Sequence, residues 1–330
     1  MTQALLHAAP RTARLLAVLF GCMALPVLPA HAFPDRPIKI VIPAPAGGTA
    51  DVIGRLIGKE MSESLKTPVI IDNRPGASGL IGTQLVQTSD PDGSTLLFTA
   101  ISLHVTANLL KKDPPFDPVK DFTPLARVVR YPLYIVANPA LPANNLRELT
   151  VYAKQKPNEI NYASPGNGTL GNLACELYAI AAGVKFVHVP YKGTTHTASA
   201  VLSNEAQFMC DTVAGSRAYI EAGRMKGLAL MADKRVPQAP NIPTTSESGY
   251  PGLEAYVWLG FLAPAKTPPA ITRRLVDALH AALKVPEVLR HLDRTAMEPL
   301  TDTPSAFAAS MQADEAAWAK VIKEKGIKVD

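Results

Sequence analysis

Short apolar stretches alternate with amphipathic ones along most of the chain, and that rhythm limits the fold more than any other feature of the sequence. Ile38-Lys39-Ile40-Val41-Ile42 reads as a strand, and behind it Ile53, Leu56, Ile57 and Met61 share one helical face at 3.6-residue spacing. Further strands are predicted at 69–71, 96–98, 133–136, 160–163, 186–189, 208–210 and 227–231. Helices are predicted at 80–88, 146–156, 169–182, 198–202 and ahead of Gly223. Strands alternating with helices predict parallel sheets in an α/β fold. The last third differs: 268–283 and 307–323 are amphipathic helices, the second with Phe307, Met311, Trp318 and Ile322 as core positions. A chain of 330 residues suits about two domains. Its 30 prolines are roughly twice the usual ~5% and cut the chain into many short elements. Prolines at 129–139 and 251–264 mark two crossings between lobes. The expected division is one lobe from 33–133 together with 254–330, and a second from 134–253.

The first 32 residues read as an export signal. Arg11 and Arg14 form a positive start, 15–28 is apolar, and Ala30-His31-Ala32 is a small-x-small cleavage site. The apolar stretch is shorter than the ~20 residues a bilayer span needs. The chain is therefore expected to be exported, with a mature start at Phe33. A second reading takes Leu19-Phe20-Gly21-Cys22 as a lipidation box with Cys22 as the anchor, although Phe20 is large for that position. Past residue 32, two cysteines remain, Cys175 and Cys210. They are either one disulfide, which an oxidising compartment permits, or two buried thiols. Net charge is +5, with no cluster of Lys or Arg. Nucleic-acid binders concentrate their basic residues, so that class is set aside.

Two loops of similar sequence carry the functional signal. Ala44-Pro45-Ala46-Gly47-Gly48-Thr49 and Ser164-Pro165-Gly166-Asn167-Gly168-Thr169 each follow a strand and open a helix, about 120 residues apart. Glycine lets the backbone turn and approach a ligand closely. The free N–H groups of a helix start attract anions. Thr49 and Thr169 can cap the helix or offer a hydroxyl. Two such loops from two lobes could grip one anion between them. The alternative for each is an ordinary strand-to-helix turn.

Other chemistry is sparse. Gly166-x-Gly168-x-x-Gly171 matches the dinucleotide fingerprint, but the strand after it, Phe186-Val187-His188-Val189-Pro190, ends without the acid that would hold a ribose. No nicotinamide or other cofactor is expected. The segment Gly54-Arg55-Leu56-Ile57-Gly58-Lys59 is one residue short of a P-loop. No G-x-S-x-G elbow occurs. His104, His188, His196, His280 and His291 lack metal-ligand spacing, so no metal is expected. A Ser–His–Asp set assembled in space would support the alternative of an exported α/β hydrolase acting on a small acid.

Several blocks together resemble the Bug (Bordetella uptake) family, the substrate-binding proteins of tripartite tricarboxylate transporters. They are Phe33-Pro34-Asp35-Arg36-Pro37-Ile38, Ala46-Gly47-Gly48-Thr49-Ala50-Asp51-Val52, Asp72-Asn73-Arg74-Pro75-Gly76-Ala77-Ser78-Gly79, 161–169, His188-Val189-Pro190-Tyr191-Lys192-Gly193 and Trp258-Leu259-Gly260-Phe261-Leu262-Ala263-Pro264. The resemblance implies a two-lobed periplasmic binding protein of the Venus-flytrap type, without catalysis. Each lobe would be a sheet flanked by helices, with a small carboxylate held in the cleft. The implied partners are the membrane permease subunits of such a transporter, with a sensor kinase as a further one. The protein itself would be a monomer. The implied ligand-binding residues are Ala46, Gly47, Gly48, Thr49 and Asp51 in the first loop, and Ser164, Gly166, Asn167, Gly168 and Thr169 in the second. Ser102, Tyr191 and Asp211, each just past a strand, join them. One departure bears on the ligand: the family has an aromatic residue just before the first loop, and here Ala44-Pro45 stands there. A wider pocket and a bulkier carboxylate are expected.

Overall fold

The computed structural model describes residues 33–328; the expected export signal and Cys22 lie outside them. Strand β1 (Ile38–Ile42) is buried except at Lys39. It pairs in parallel with β2 (Val69–Asn73) and β3 (Thr95–Ala100). Helix α1 (Thr49–Leu65) returns between β1 and β2 and buries Ile53, Ile57 and Met61. It lies close on the sheet because Gly54 has no side chain: a Cβ there would meet Ile42 Cδ1 at 2.6 Å. Helix α2 (Leu80–Gln87) connects β2 to β3.

The sheet continues with two strands that the sequence reading split or missed. Strand β4 (Phe122–Ala137) is 16 residues long, and β9 (Tyr256–Pro264) runs antiparallel beside it. Both contain prolines, which have no N–H for a ladder and so read as interruptions. Register shifts at Pro124/Ala126 and Arg127/Val129 absorb the irregularity. β9 also pairs antiparallel with β3, and the short β10 (Glu298–Pro299) with β4. The sheet is therefore mixed, where the alternation alone predicted a parallel one. Phe98 of β3 stacks on Phe261 of β9 at 4.3 Å in its core.

Strand β4 joins two lobes. Phe122–Pro132 pairs with β9 in the first sheet. Leu133–Ala137 pairs with β7 (Phe208–Thr212) and β8 (Lys226–Leu230) in a second sheet, completed by the parallel pairs β7–β5 (Asn161–Ser164) and β5–β6 (Val187–Pro190). Around it lie α3 (Leu146–Gln155), α4 (Leu170–Ala182), α5 (Thr194–Leu202) and α6 (Val213–Glu221). The chain re-enters the first sheet at β9 and finishes with α7 (Pro269–Ala282), α8 (Pro286–Arg294) and α9 (Pro304–Lys325). No helix among the described residues is long and apolar enough to cross a membrane.

After β3 the chain makes a wide helical turn, Ser102–Thr106, that carries one fully buried histidine. His104 packs against Phe116 and Phe122, with centroids 5.3 and 5.0 Å away. Its Nε2 donates to the Pro118 carbonyl at 2.8 Å, while Nδ1 has no partner among the described residues. Burial lowers its pKa to about 4 from 6.5. The unfolded chain thus takes up a proton that the folded one refuses, and stability falls as pH drops from 6.5 towards 4. The expected loss is about 3 kcal/mol. In urea unfolding at pH 7 and pH 4, His104→Phe is expected to show a shallower pH dependence by about that amount; an unchanged slope contradicts the assignment.

Candidate ligand-binding site

The first loop leaves β1 with Gly48 as the N-cap of α1, extended at φ −77° and ψ 170°, and with no side chain capping the helix. Ala46, Gly47, Gly48 and Thr49 are exposed. Gly47 takes φ +84°, a left-handed value that suits glycine. Its N–H donates to Asp51 Oδ2 at 2.9 Å. Arg55 also binds that carboxylate, Nε to Oδ2 at 3.1 Å and Nη2 to Oδ1 at 3.0 Å. The Arg55 hydrogen bond is the main reason that the buried Asp51 carboxyl sits below its usual pKa. Asp51 is therefore engaged within its own loop.

The second loop is more tightly built. Gly166 and Gly168 have φ +141° and +72°. Ser164, fully buried at the end of β5, accepts from Gly166 N–H (3.2 Å) and donates to the Gly166 carbonyl (3.0 Å). Thr169 caps α4, accepting from Asn172 N–H at 3.4 Å, and donates to the Gly166 carbonyl at 2.7 Å. Gly168 N–H donates to Asn172 Oδ1 at 2.9 Å. These bonds occupy several loop amides. The first-turn N–H groups of Leu170 and Gly171 have no carbonyl four residues back within the helix.

Between the lobes lies a cleft of about 360 Å³. Ser78, Ser102, Leu103, Leu110 and Lys111 line it from the first lobe. Pro165, Asn167, Gly168, Thr169, Leu170 and Gly171 line it from the second, with Thr194, Asp211 and Thr212. Leu133 and Val257 line it where the lobes join. Leu110 closes across it: a Cβ on Gly168 would come within 2.1 Å of Leu110 Cδ1.

Of the residues singled out in the sequence, Ser102, Asn167, Gly168, Thr169 and Asp211 line this cleft together. Ala46, Gly47, Gly48 and Thr49 stand on the exposed surface of their loop, outside the lining. Asp51, Ser164 and Gly166 act within their own loops. Tyr191 packs on the second lobe's apolar cluster, its hydroxyl buried and without a close hydrogen-bond partner among the described residues. The cleft gains Leu103, Leu110 and Lys111, which carry no local motif; only their place within and just after the turn at Ser102–Thr106 brings them in. Lys111 and Asp211 are its charged residues. Lys111 has no carboxylate within 4.0 Å among the described residues. Burial raises the Asp211 pKa, while Ser216 Oγ donates to it at 2.5 Å.

Cys175 and Cys210 are buried free thiols whose sulfurs lie 2.8 Å apart, between α4 and β7. A bridge between them would tie the helix of the second loop to β7, the strand that carries Asp211. Ser164 Oγ lies 2.6 Å from His188 Nε2. Ser164 has no exposed surface, so this pair offers no nucleophile to a substrate in the cleft. No group of three metal-ligating side chains exists among the described residues.

Residues 53–327 match the family described as Tripartite tricarboxylate transporter family receptor. The chain belongs to this family. A curated relative from the tcbD-tcbE intergenic region of Pseudomonas sp. (strain P51) is 33% identical over 294 residues, 89% of this chain and 87% of that protein. The periplasmic binding protein BugD superposes with a TM-score of 0.74 at 33% identity, covering 90% of this chain and 99% of that one. Rpa4515 of R. palustris, solved with adipate, has a TM-score of 0.78 at 32% identity, with 90% and 99% covered. The two-lobed α/β architecture described above is thus the architecture of the tripartite tricarboxylate receptors, and their role is solute binding.

Proposed function

We propose that this receptor captures a small carboxylate with an apolar body in the interlobe cleft, and hands it to the membrane permease of a tripartite tricarboxylate-type transporter after export to the periplasm. Lobes divided at 133/134 and 253/254 then close on the ligand, with the exposed amides of the first loop completing the site on closure. One observation carries the reading: the start of α4 and the unpaired Lys111 lie on opposite walls of one cleft. A carboxylate at a helix start gains ~0.3–1 kcal/mol, up to ~2 when partly buried. Hydrogen bonds to a charged group add about 1.5–3 kcal/mol each. Together these support micromolar affinity, about −8 kcal/mol, after the costs of ordering. Leu103, Leu110, Leu133, Leu170 and Val257 face the ligand's body. Each methylene buried there is worth ~0.8 kcal/mol.

The test is thermal unfolding of residues 33–330, refolded free of bound solute, against acetate, malate, adipate and benzoate. A ligand at 100 times its Kd adds ~2.7 kcal/mol of stability. Adipate or benzoate is expected to raise the Tm more than malate. Lys111→Gln is expected to weaken the best acid about tenfold, or ~1.4 kcal/mol. Tightest binding by malate contradicts the apolar-body reading, and equal affinity in Lys111→Gln removes the lysine from the site. A flat panel counts against carboxylate capture.

A further inference from the structure

The longest helix among the described residues touches both lobes, and its last turn is wired to the second loop. Near its start, Phe307 of α9 is fully buried against Trp258 of the first sheet, ring centroids 5.1 Å apart. Two turns further, Asp314 accepts from Trp258 Nε1 at 2.8 Å. A 22-residue helix is about 33 Å long, and its far end reaches α4 of the second lobe. There Lys325 Nζ lies 3.0 Å from Glu176 Oε2, with both side chains largely covered. Gly326, at φ 62°, caps the helix and holds that last turn in place.

From Glu176 the bonds continue inward without a gap. Tyr162 Oη donates to Glu176 Oε1 at 2.6 Å. Asn172 Nδ2 donates to Tyr162 Oη at 2.6 Å. Asn172 Oδ1 accepts the N–H of Gly168 at 2.9 Å. The direction of every link follows from the first. An ionised carboxylate only accepts, so Tyr162 must donate to it. The tyrosine oxygen is then left to accept from Asn172 Nδ2, which turns Oδ1 towards Gly168. Low local dielectric strengthens such a chain.

We infer that Lys325 and Glu176 are positioning residues for the ligand site: through Tyr162 and Asn172 they fix the orientation of the Gly168 peptide, so that α9, anchored in the first lobe, sets the ligand loop of the second. The inference rests on the reading of the second loop as ligand-holding. It makes the C-terminal helix part of the binding machinery, although none of its residues lines the cleft.

Hydrogen exchange followed by mass spectrometry and NMR on residues 33–330 tests the linkage without any ligand. In Lys325→Met the Gly168 amide is expected to exchange at least fivefold faster, with amides of α7 unchanged. Lys325→Arg is expected to restore the wild-type rate. Glu176→Gln, whose amide can donate to Tyr162 and reverse the chain, is expected to behave as Lys325→Met does. An unchanged Gly168 rate overturns the inference. So does equal acceleration in α7, which marks a general loss of stability. Isothermal titration with the acid that wild type binds best among acetate, malate, adipate and benzoate then reads the consequence. Affinity is expected to fall three- to tenfold in Lys325→Met and to return in Lys325→Arg. Unchanged affinity alongside faster exchange overturns the positioning role. Wild type binding none of the four acids removes the ligand reading, while the exchange result still decides the linkage.

Discussion

Gly168→Val is expected to weaken ligand binding at least tenfold, or ~1.4 kcal/mol, while leaving both lobes folded. Two effects act together. At φ +72° a β-branched residue is strained, a cost of order 1–3 kcal/mol. The added side chain also drives into Leu110, because even its Cβ would sit 2.1 Å from Leu110 Cδ1. Leu110 belongs to the opposite wall of the cleft, so the clash falls on closure and not on the interior of a lobe. Leu110→Ala in the same chain is expected to recover part of the affinity by removing the obstacle, while the backbone strain persists. Titration calorimetry on the single and double variants separates the two terms. Wild-type affinity in Gly168→Val would remove this loop from the site. Gly48→Val is the informative contrast: its Cβ would meet only the Pro45 carbonyl, at 3.6 Å, and its φ of −77° suits any residue. A loss of affinity there would report the first loop's contact with ligand rather than a distorted backbone.

Phe307→Ala is expected to destabilise the protein by about 3–5 kcal/mol, the usual cost of deleting a large buried ring. Phe307 has no exposed surface and meets Trp258 edge-on. The fit is close, since a Cβ on Gly260 would come within 2.5 Å of its Cζ. Little nearby can collapse into the space, because Trp258 is also held by its bond to Asp314. Urea unfolding of wild type and variant checks this, and a cost below about 1.5 kcal/mol would mean that the helix repacks freely. The same substitution loosens α9 from the first lobe, so the Gly168 amide is expected to lose protection as well.

How much could be read before folding differs from element to element. The helix of Ile53, Ile57 and Met61 was legible because its pattern repeats within a few turns. The glycines of both loops were legible because a left-handed backbone is a property of single residues. Of β4 only the second half, 133–136, was legible; its first half and β9 were not, because Pro124, Pro132 and Pro264 look like breaks and the pairing of these two segments is long-range. Within the site, Asn167, Gly168 and Thr169 stood out by motif, and Ser102 and Asp211 by their place after strands. Lys111 and Leu110 had no such mark. Asp51 and Ser164 stood out beside the loop glycines, and Tyr191 by its place just past a strand. In the folded chain Arg55, the Gly166 backbone and the second lobe's apolar cluster engage them.

The sequence by itself determined the α/β rhythm, the two glycine loops opening helices and the resemblance to a transport receptor family. All three follow from short-range patterns: side-chain periodicity, backbone freedom at glycine and blocks of neighbouring residues. The tertiary structure alone decided that one strand runs through both lobes, that Lys111 and Asp211 face one cleft, and that Lys325 reaches Gly168 through Glu176, Tyr162 and Asn172. Those relations join residues far apart in the chain, and a distance or the direction of a hydrogen bond exists only once packing has brought the groups together.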